Sequence, residues 1–243
     1  MHLSIVIPTF QRHKKLKRCI DSILCQTHQD FKIYVMCDNN DVESFEYIET
    51  EYKGIDKVFP IIILDHQYVM GCWNLFTRDS QGNENIKDAM LGLCDDVELY
   101  PECLENAVKC FKENYKDTNG IVGLSQVCPG HSEYTYKPFG QTLIGKQFIE
   151  RYPDRQIACP DYTFLYQDEE MFEYASSLNK FIHCKDAILK HYHPGFCREE
   201  MDETHKVSRG DTKNKDILTH LKRKSQGLIW GKSWELINEK EKT

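Results

Sequence analysis

Three short apolar runs set the strongest limit on what this chain can fold into. Leu3-Ser4-Ile5-Val6-Ile7-Pro8-Thr9-Phe10, Phe31-Lys32-Ile33-Tyr34-Val35-Met36-Cys37 and Val58 to Leu64 carry apolar residues without a clean period of two. That pattern suits strands buried on both faces of a parallel sheet, not strands with one wet face. After the first run, Leu16, Cys19, Ile20, Ile23 and Leu24 recur at helical spacing, and Glu43 to Tyr52 also reads as helix. The resulting β-α-β-α-β order predicts a doubly wound α/β sheet, mostly parallel and flanked by helices. Polar residues gather just past the first two strands, including Arg12 and Asp38-Asn39-Asn40-Asp41. In open sheets of this kind, ligands bind beyond those carboxyl ends.

A further apolar run, Ala89 to Leu93, ends abruptly in Cys94-Asp95-Asp96, with Glu98 two residues on. Adjacent carboxylates at a strand end repel one another and attract a hard divalent cation, for which oxygen ligands suit Mg²⁺ or Mn²⁺. The plainer reading is a solvated turn, because Pro101-Glu102 then opens a helical pattern through Leu104, Val108 and Phe111. An isolated Asp-Asp favours the turn, so the rest of the chain has to decide.

The 243 residues, 28% charged and 40% hydrophobic, describe an ordinary globular chain able to bury a full core in one domain, or in one domain with a tail. No apolar stretch approaches the roughly 18 residues of a membrane span, and no signal-like segment opens the sequence. A cytoplasmic protein is therefore expected. The eleven cysteines show neither CxxC pairs nor zinc-finger spacing, so they are expected to be reduced and mostly small core residues. Charge is uneven. Residues 206–232 hold eight Lys/Arg against two Asp, a net of +6, which leaves −13 on the remainder of a chain whose net is −7.

Four motifs, taken in order, carry a resemblance. Ser4-Ile5-Val6-Ile7-Pro8-Thr9-Phe10-Gln11-Arg12 leads to a helix with Cys19-Ile20-Asp21-Ser22-Ile23-Leu24-Cys25-Gln26-Thr27 and a strand ending in Asp38. Met70-Gly71 and Asn74 precede Cys94-Asp95-Asp96. Tyr166-Gln167-Asp168-Glu169-Glu170-Met171 and Lys190-His191-Tyr192-His193-Pro194 follow. Over residues 3–197 this resembles the family-2 glycosyltransferases of GT-A fold, with Cys94-Asp95-Asp96 where their DxD belongs. There are departures. Cys94 replaces the first DxD carboxylate, Cys37 stands where an aspartate is common, and Gln167 replaces a Glu.

The resemblance implies a GT-A-like domain over residues 1–205 that moves a sugar from a nucleotide-sugar, a UDP-sugar first, to an acceptor hydroxyl with inversion. It implies Mn²⁺ or Mg²⁺ held by Asp96 and His191, the former also asked for by a diphosphate leaving group. Pro8, Thr9, Arg12, Asp38, Asn74 and Asp95 are implied as the donor-nucleotide contacts. Asp168 is implied as the general base, although Asp168, Glu169 and Glu170 also suit a plain helix start. On an extended segment His191 and His193 point the same way, with Tyr192 opposite, so either can serve as ligand.

The aromatic-rich segment Cys128 to Tyr166, including Tyr134, Tyr136, Phe139 and Phe164, is where acceptor recognition is expected, though such a set can equally build a subdomain core. Residues 206–243 read as a basic amphipathic helical tail, two short helices broken by Gly227 and Gly231. It either packs on the domain or on a second copy as a homodimer, or it uses Lys222-Arg223-Lys224 with Trp230 and Trp234 to dock a polyanionic acceptor, modified DNA or a lipid-linked glycan. Two other classes stay open. A nucleotidyltransferase would normally show a Gly-rich basic loop after the first strand, which is missing here. A non-catalytic nucleotide- or sugar-binding protein would tolerate Cys94 and Gln167.

Overall fold

The computed structural model describes residues 1–78, 84–129, 139–195, 197 and 200–232. They form an eight-stranded sheet of order β3-β2-β1-β4-β7-β6-β8-β5. Its first half comes from β1 (Leu3–Thr9), β2 (Phe31–Asp38), β3 (Val58–Ile63) and β4 (Ala89–Gly92), all paired in parallel, with Leu3 opposite both Phe31 and Ala89. The second half is mixed. β7 (Thr142–Gly145) runs antiparallel between β4 and β6 (Ile121–Val127), while β8 (Phe181–His191) lies parallel to β6 and antiparallel to the three-residue β5 (Val97–Leu99).

The unalternating runs have a direct cause, since both faces of the central strands are covered. Leu3, Ile5 and Ile7 point into one core with Leu16, Cys19, Ile20 and Ile23 of α1 (His13–Leu24) and Leu104 and Phe111 of α4 (Cys103–Asn114). Val6, Tyr34 and Met36 point into a second core with Met70, Trp73 and Phe76 of α3 (Val69–Arg78) and Met171 and Tyr174 of α6 (Gln167–Ser177). Each such side chain removed from water contributes about 1.5–3 kcal/mol. Gly92 lets the second core approach β4, because a Cβ there would stand 2.8 Å from the Trp73 ring. The helix expected from Glu43 is α2 (Val42–Glu51), capped by the Asp41 carboxylate on Ser44 N–H.

Several expectations change. β3 is an edge strand and not fully buried, with Ile62 44% exposed and Leu64, just after it, 80%. The stretch after Asp96 is not only a turn, since it contains β5. Cys128 and Cys197 form a disulfide, so not every cysteine is a reduced thiol; the other nine are free. It joins the end of β6 to the segment after β8, neighbours that their separation in sequence conceals.

After a short α5 (Lys146–Ile149), the chain returns through α6 and β8 to α7 (Glu203–Arg209) and α8 (Asp211–Ser225). One helix therefore stands where the first of two tail helices was expected, while Trp234 and Ile237 lie outside the described residues. Ile229 and Trp230 pack on the second core, and Trp230 Nε1–H donates to Gln156 O at 2.6 Å. Among the described residues, no helix is long and apolar enough to cross a membrane.

Candidate active site

The sheet order brings the first and last motifs together. β1 and β4 are hydrogen-bonded neighbours, so Thr9 at the end of one strand and Arg12 just beyond it face Asp95 and Asp96, just past the other. Pairing of β5 with β8 puts Val97 opposite His191, and Tyr192 N–H donates to Asp96 O at 2.9 Å. A three-residue strand is thus the device that carries the late histidine to the carboxylates.

The two aspartates, both 2% exposed, have different surroundings. Asp95 is held on both oxygens, by Arg12 Nη1 at 2.5 Å and Thr9 Oγ1 at 2.9 Å. Burial pushes its carboxyl up to about 6, against the pull of Arg12. Asp96 Oδ2 has weaker neighbours, with His205 Nε2 at 3.4 Å and Arg12 Nη2 at 3.5 Å. Asp96 Oδ1 is buried and receives no hydrogen bond, yet stands 3.2 Å from His191 Nε2. Burial alone would oppose the charge on Asp96, but His191, His205 and Arg12 hold its carboxyl well below the usual range.

His191 Nδ1 lies 2.8 Å from the buried Gln126 Oε1, which accepts its proton and leaves Nε2 as the basic nitrogen facing Asp96. A charged His191, the form that lowers the Asp96 carboxyl, places a proton in this 3.2 Å gap, and a bound cation would take the proton's place. A Cys94 sulfur, an Asp96 oxygen and a His191 nitrogen all lie within 4.8 Å of one another. The residues present therefore fit a divalent cation. Cys94 had read only as a lost carboxylate, although its side chain, two positions before Asp96, carries a ligand atom of its own. His205 and Asp202 were not anticipated, because the acidic and basic residues at the cap and first turn of α7 resemble any helix start. Asp202 caps His205 N–H at 3.1 Å, accepts from Lys15 Nζ at 2.7 Å and pairs with Arg12. Half-buried His193, its ring 5.4 Å from that of His191, is pushed down to about 4 by desolvation and then by His191. Tyr192 points away, its hydroxyl donating to Glu98 and its ring beneath Arg18, as alternation requires.

The remaining donor-side residues are spread along the sheet edge. Pro8 sits in β1 opposite Met36. Asp38, 3% exposed at the end of β2, has one oxygen 2.5 Å from His66 Nδ1 and the other accepting from Asn40 N–H. Asn74 bonds both ways to the Ala158 backbone, at 2.8 and 2.9 Å, and so fastens α3 to the loop before α6.

Asp168 lies in the first turn of α6, behind Tyr166, whose φ of 69° is the left-handed conformation a tyrosine seldom adopts. What holds that approach is the tail. Buried Asp216 of α8 accepts from the backbone N–H groups of Thr163, Phe164 and Leu165 at 2.8, 2.6 and 2.8 Å, and His220 stacks on Tyr166 at 4.3 Å. Glu170 accepts from Arg223 Nε and Nη2 at 2.7 and 2.9 Å, from Tyr162 at 2.6 Å and from Trp230 N–H at 2.7 Å. Arg223 Nη1 also bonds Asp161 at 2.7 Å. Arg223 is thus an internal ion-pair partner and not part of a docking patch, whereas Lys222 and Lys224 are exposed. Of the aromatic set, Phe164 meets Tyr68 at 5.0 Å and Phe139 stacks on Phe172 at 4.8 Å, while Tyr134 and Tyr136 lie outside the described residues.

With this geometry in hand, comparison with known proteins gives the family. The chain belongs to glycosyl transferase family 2, whose model matches residues 4–173. Solved structures share the GT-A fold at low identity. TarS from S. aureus in complex with UDP-GlcNAc matches at 12% identity and TM-score 0.63, over 84% of this chain and 60% of that one. The mannosyltransferase PcManGT from Pyrobaculum calidifontis, in complex with GDP-Man and Mn²⁺, matches at 10% and 0.58, over 78% and 56%. GalNAc-T7 with UDP, GalNAc and Mn²⁺ matches at 12% and 0.60, over 96% and 55%. The chain therefore spans little more than half the length of these structures. No curated protein sequence matches it.

Proposed function

We propose that this chain is an inverting glycosyltransferase that moves a hexose-type sugar from a nucleoside diphosphate, UDP first, to an acceptor hydroxyl with the help of a divalent cation. One observation carries the reading. Asp96 and His191 converge at the carboxyl end of β4, with a buried carboxylate oxygen that receives no hydrogen bond, beside the strand ends bearing Arg12 and Asp38. Asp38 and the end of β1 would receive the nucleoside, and Asp96 with His191 would hold the cation at the diphosphate. A cation bound there supplies charge neutralisation for the leaving group. Asp168 would accept the acceptor hydroxyl's proton as its oxygen bonds the anomeric carbon and the bond to diphosphate breaks, a contribution of about 10²–10⁴ in rate. Asp95, saturated by Thr9 and Arg12, would set the approach of Asp96 and of the guanidinium to the donor.

The support from relatives is that TarS, PcManGT and GalNAc-T7 are solved with nucleotide or nucleotide-sugar ligands, two of them with Mn²⁺. The test is a melting-temperature panel of UDP-, GDP- and ADP-sugars with and without divalent cation. A UDP-sugar should raise the melting temperature more when the cation is present, because ligands of the native state stabilise by mass action. Asp96→Ala should remove the cation's share. A panel in which no nucleotide-sugar shifts the melt would sink the proposal.

A further inference from the structure

We propose that Cys94 is itself a metal ligand, and that the Cys94–Asp96–His191 set selects a borderline-soft divalent cation of the Zn²⁺ or Co²⁺ class over Mg²⁺ and Mn²⁺. The inference deepens the proposed function by naming the cation class of that same site, but it can be tested without any sugar transfer. Three observations carry it.

First, the donor geometry closes on one point. Cys94 and Asp96 lie in the turn that links β4 to β5, and the pairing of β5 with β8 brings His191 up to them. All three ligand atoms lie within 4.8 Å of one another, and Asp96 Oδ1 is 3.2 Å from His191 Nε2. Oxygen and nitrogen ligands each about 2.0–2.2 Å from a tetrahedral zinc ion stand roughly 3.3 Å apart, so this pair needs almost no adjustment. Three protein ligands also leave the fourth position open, as a site that must admit a diphosphate requires.

Second, each ligand has a partner that aims it. Gln126 fixes the tautomer of His191. Gln141, 1% exposed, grips Cys94 from both ends of its amide, accepting from Cys94 N–H at 2.9 Å and donating to Cys94 Sγ at 3.2 Å. Outer partners of this kind hold metal ligands in place and raise their affinity.

Third, Cys94 differs from the core thiols. Cys19 and Cys37 are fully buried within the first apolar core, whereas Cys94 packs at its margin and is only partly buried. The Cys94 sulfur instead lies within 4.8 Å of an Asp96 carboxylate oxygen and a His191 ring nitrogen. Exchanging a hard oxygen for sulfur disfavours Mg²⁺ and Mn²⁺ and favours Zn²⁺ and Co²⁺.

The experiment is Co²⁺ titration of the full chain, metal-free and kept reduced, followed by ultraviolet absorption. Co²⁺ should produce a sulfur-to-cobalt charge-transfer band that Zn²⁺ abolishes, that Cys94→Ser lacks, and that Cys25→Ser, a change at an exposed free thiol, retains. Cys94→Asp should lower the ratio of Zn²⁺ to Mn²⁺ affinity by at least about tenfold. A wild-type chain without the band, a band that survives in Cys94→Ser, or an unchanged ratio in Cys94→Asp would each overturn the inference. Should Cys94→Ser fail to fold, zinc-edge absorption on the wild-type chain decides, with a sulfur neighbour at about 2.3 Å expected and its absence fatal. A sulfur-bound cation with no nucleotide-sugar binding would leave this inference standing and remove the proposed function instead.

Discussion

The buried charges around Glu170 and those around Asp96 are built on opposite principles. Around Glu170 every polar atom is answered. Both carboxylate oxygens accept, Arg223 donates from all three nitrogens, and Asp216 takes three backbone N–H groups in a row. Around Asp96 the accounts stay open, because Oδ1 receives no hydrogen bond and the neighbours of Oδ2 stand at 3.4 and 3.5 Å. A buried group without a partner costs free energy that folding alone does not recover, so the second cluster is the one prepared for a ligand. The first is architecture, and its position suggests its purpose. It ties α8 to the segment from Asp161 to Glu170 and so fixes where Asp168 stands.

The largest expected effect tests the satisfied cluster. Arg223→Met leaves Glu170 buried beside Tyr162 and the Trp230 amide with no countercharge, and should cost about 3–5 kcal/mol of stability in denaturant unfolding. Arg223→Met with Glu170→Gln should recover most of that loss. Asp96→Asn should cost less than Arg223→Met in metal-free protein, since it gives up only the longer ion pairs to His191, His205 and Arg12 at 3.2–3.5 Å. Equal costs for the two single changes would erase the distinction between the clusters.

Next in size is the effect on turnover. Asp168→Asn keeps the shape of the side chain and removes its proton affinity, so sugar transfer should fall by at least about 10²-fold while nucleotide-sugar affinity holds. Single-turnover rates beside calorimetric donor titration measure both quantities. Normal turnover in this variant would move the base elsewhere. Glu170 would not be the substitute, because its oxygens are committed to Arg223, Tyr162 and Trp230.

These contrasts also show what the sequence could and could not convey. The central strands were legible because burial on both faces erases alternation, as Leu3, Ile5 and Ile7 against Val6 demonstrate. The residues at strand ends were legible because open sheets present their chemistry there, so Arg12, Asp95 and Asp96 do meet. What stayed hidden depends on pairings between distant segments. A three-residue strand such as Val97–Leu99 is too short to show a period, yet it decides that His191 reaches Asp96. Arg223 sits in a run of three cations that looks uniform, and only its partner Glu170 on α6 separates it from Lys222 and Lys224. Nor does anything local to Asn74, expected to contact the donor, reveal that the Ala158 backbone takes both ends of its amide. Cys94 was readable only as a lost carboxylate, because nothing local reveals that Gln141 grips it or that His191 lies beside it.

The smallest expected effect concerns the cations that the satisfied cluster leaves outside. Because Arg223 turns inward, Lys222 and Lys224 remain on the exposed side of α8, near Leu218 and Leu221, which are 68% and 58% exposed. Surface charges of this kind contribute little to folding, so Lys222→Glu with Lys224→Glu should leave stability within about 0.5 kcal/mol of wild type. That pair also replaces any charge reversal that includes Arg223, which would break the fold and confuse the result. If α8 meets a polyanionic acceptor, the double change should raise the KM for that acceptor, leave kcat and donor hydrolysis alone, and flatten the dependence of KM on salt, because fewer counterions are released on binding. An acceptor KM and salt slope equal to wild type would take the outer face of α8 out of acceptor recognition and leave the tail a single task, that of bracing the segment before Asp168.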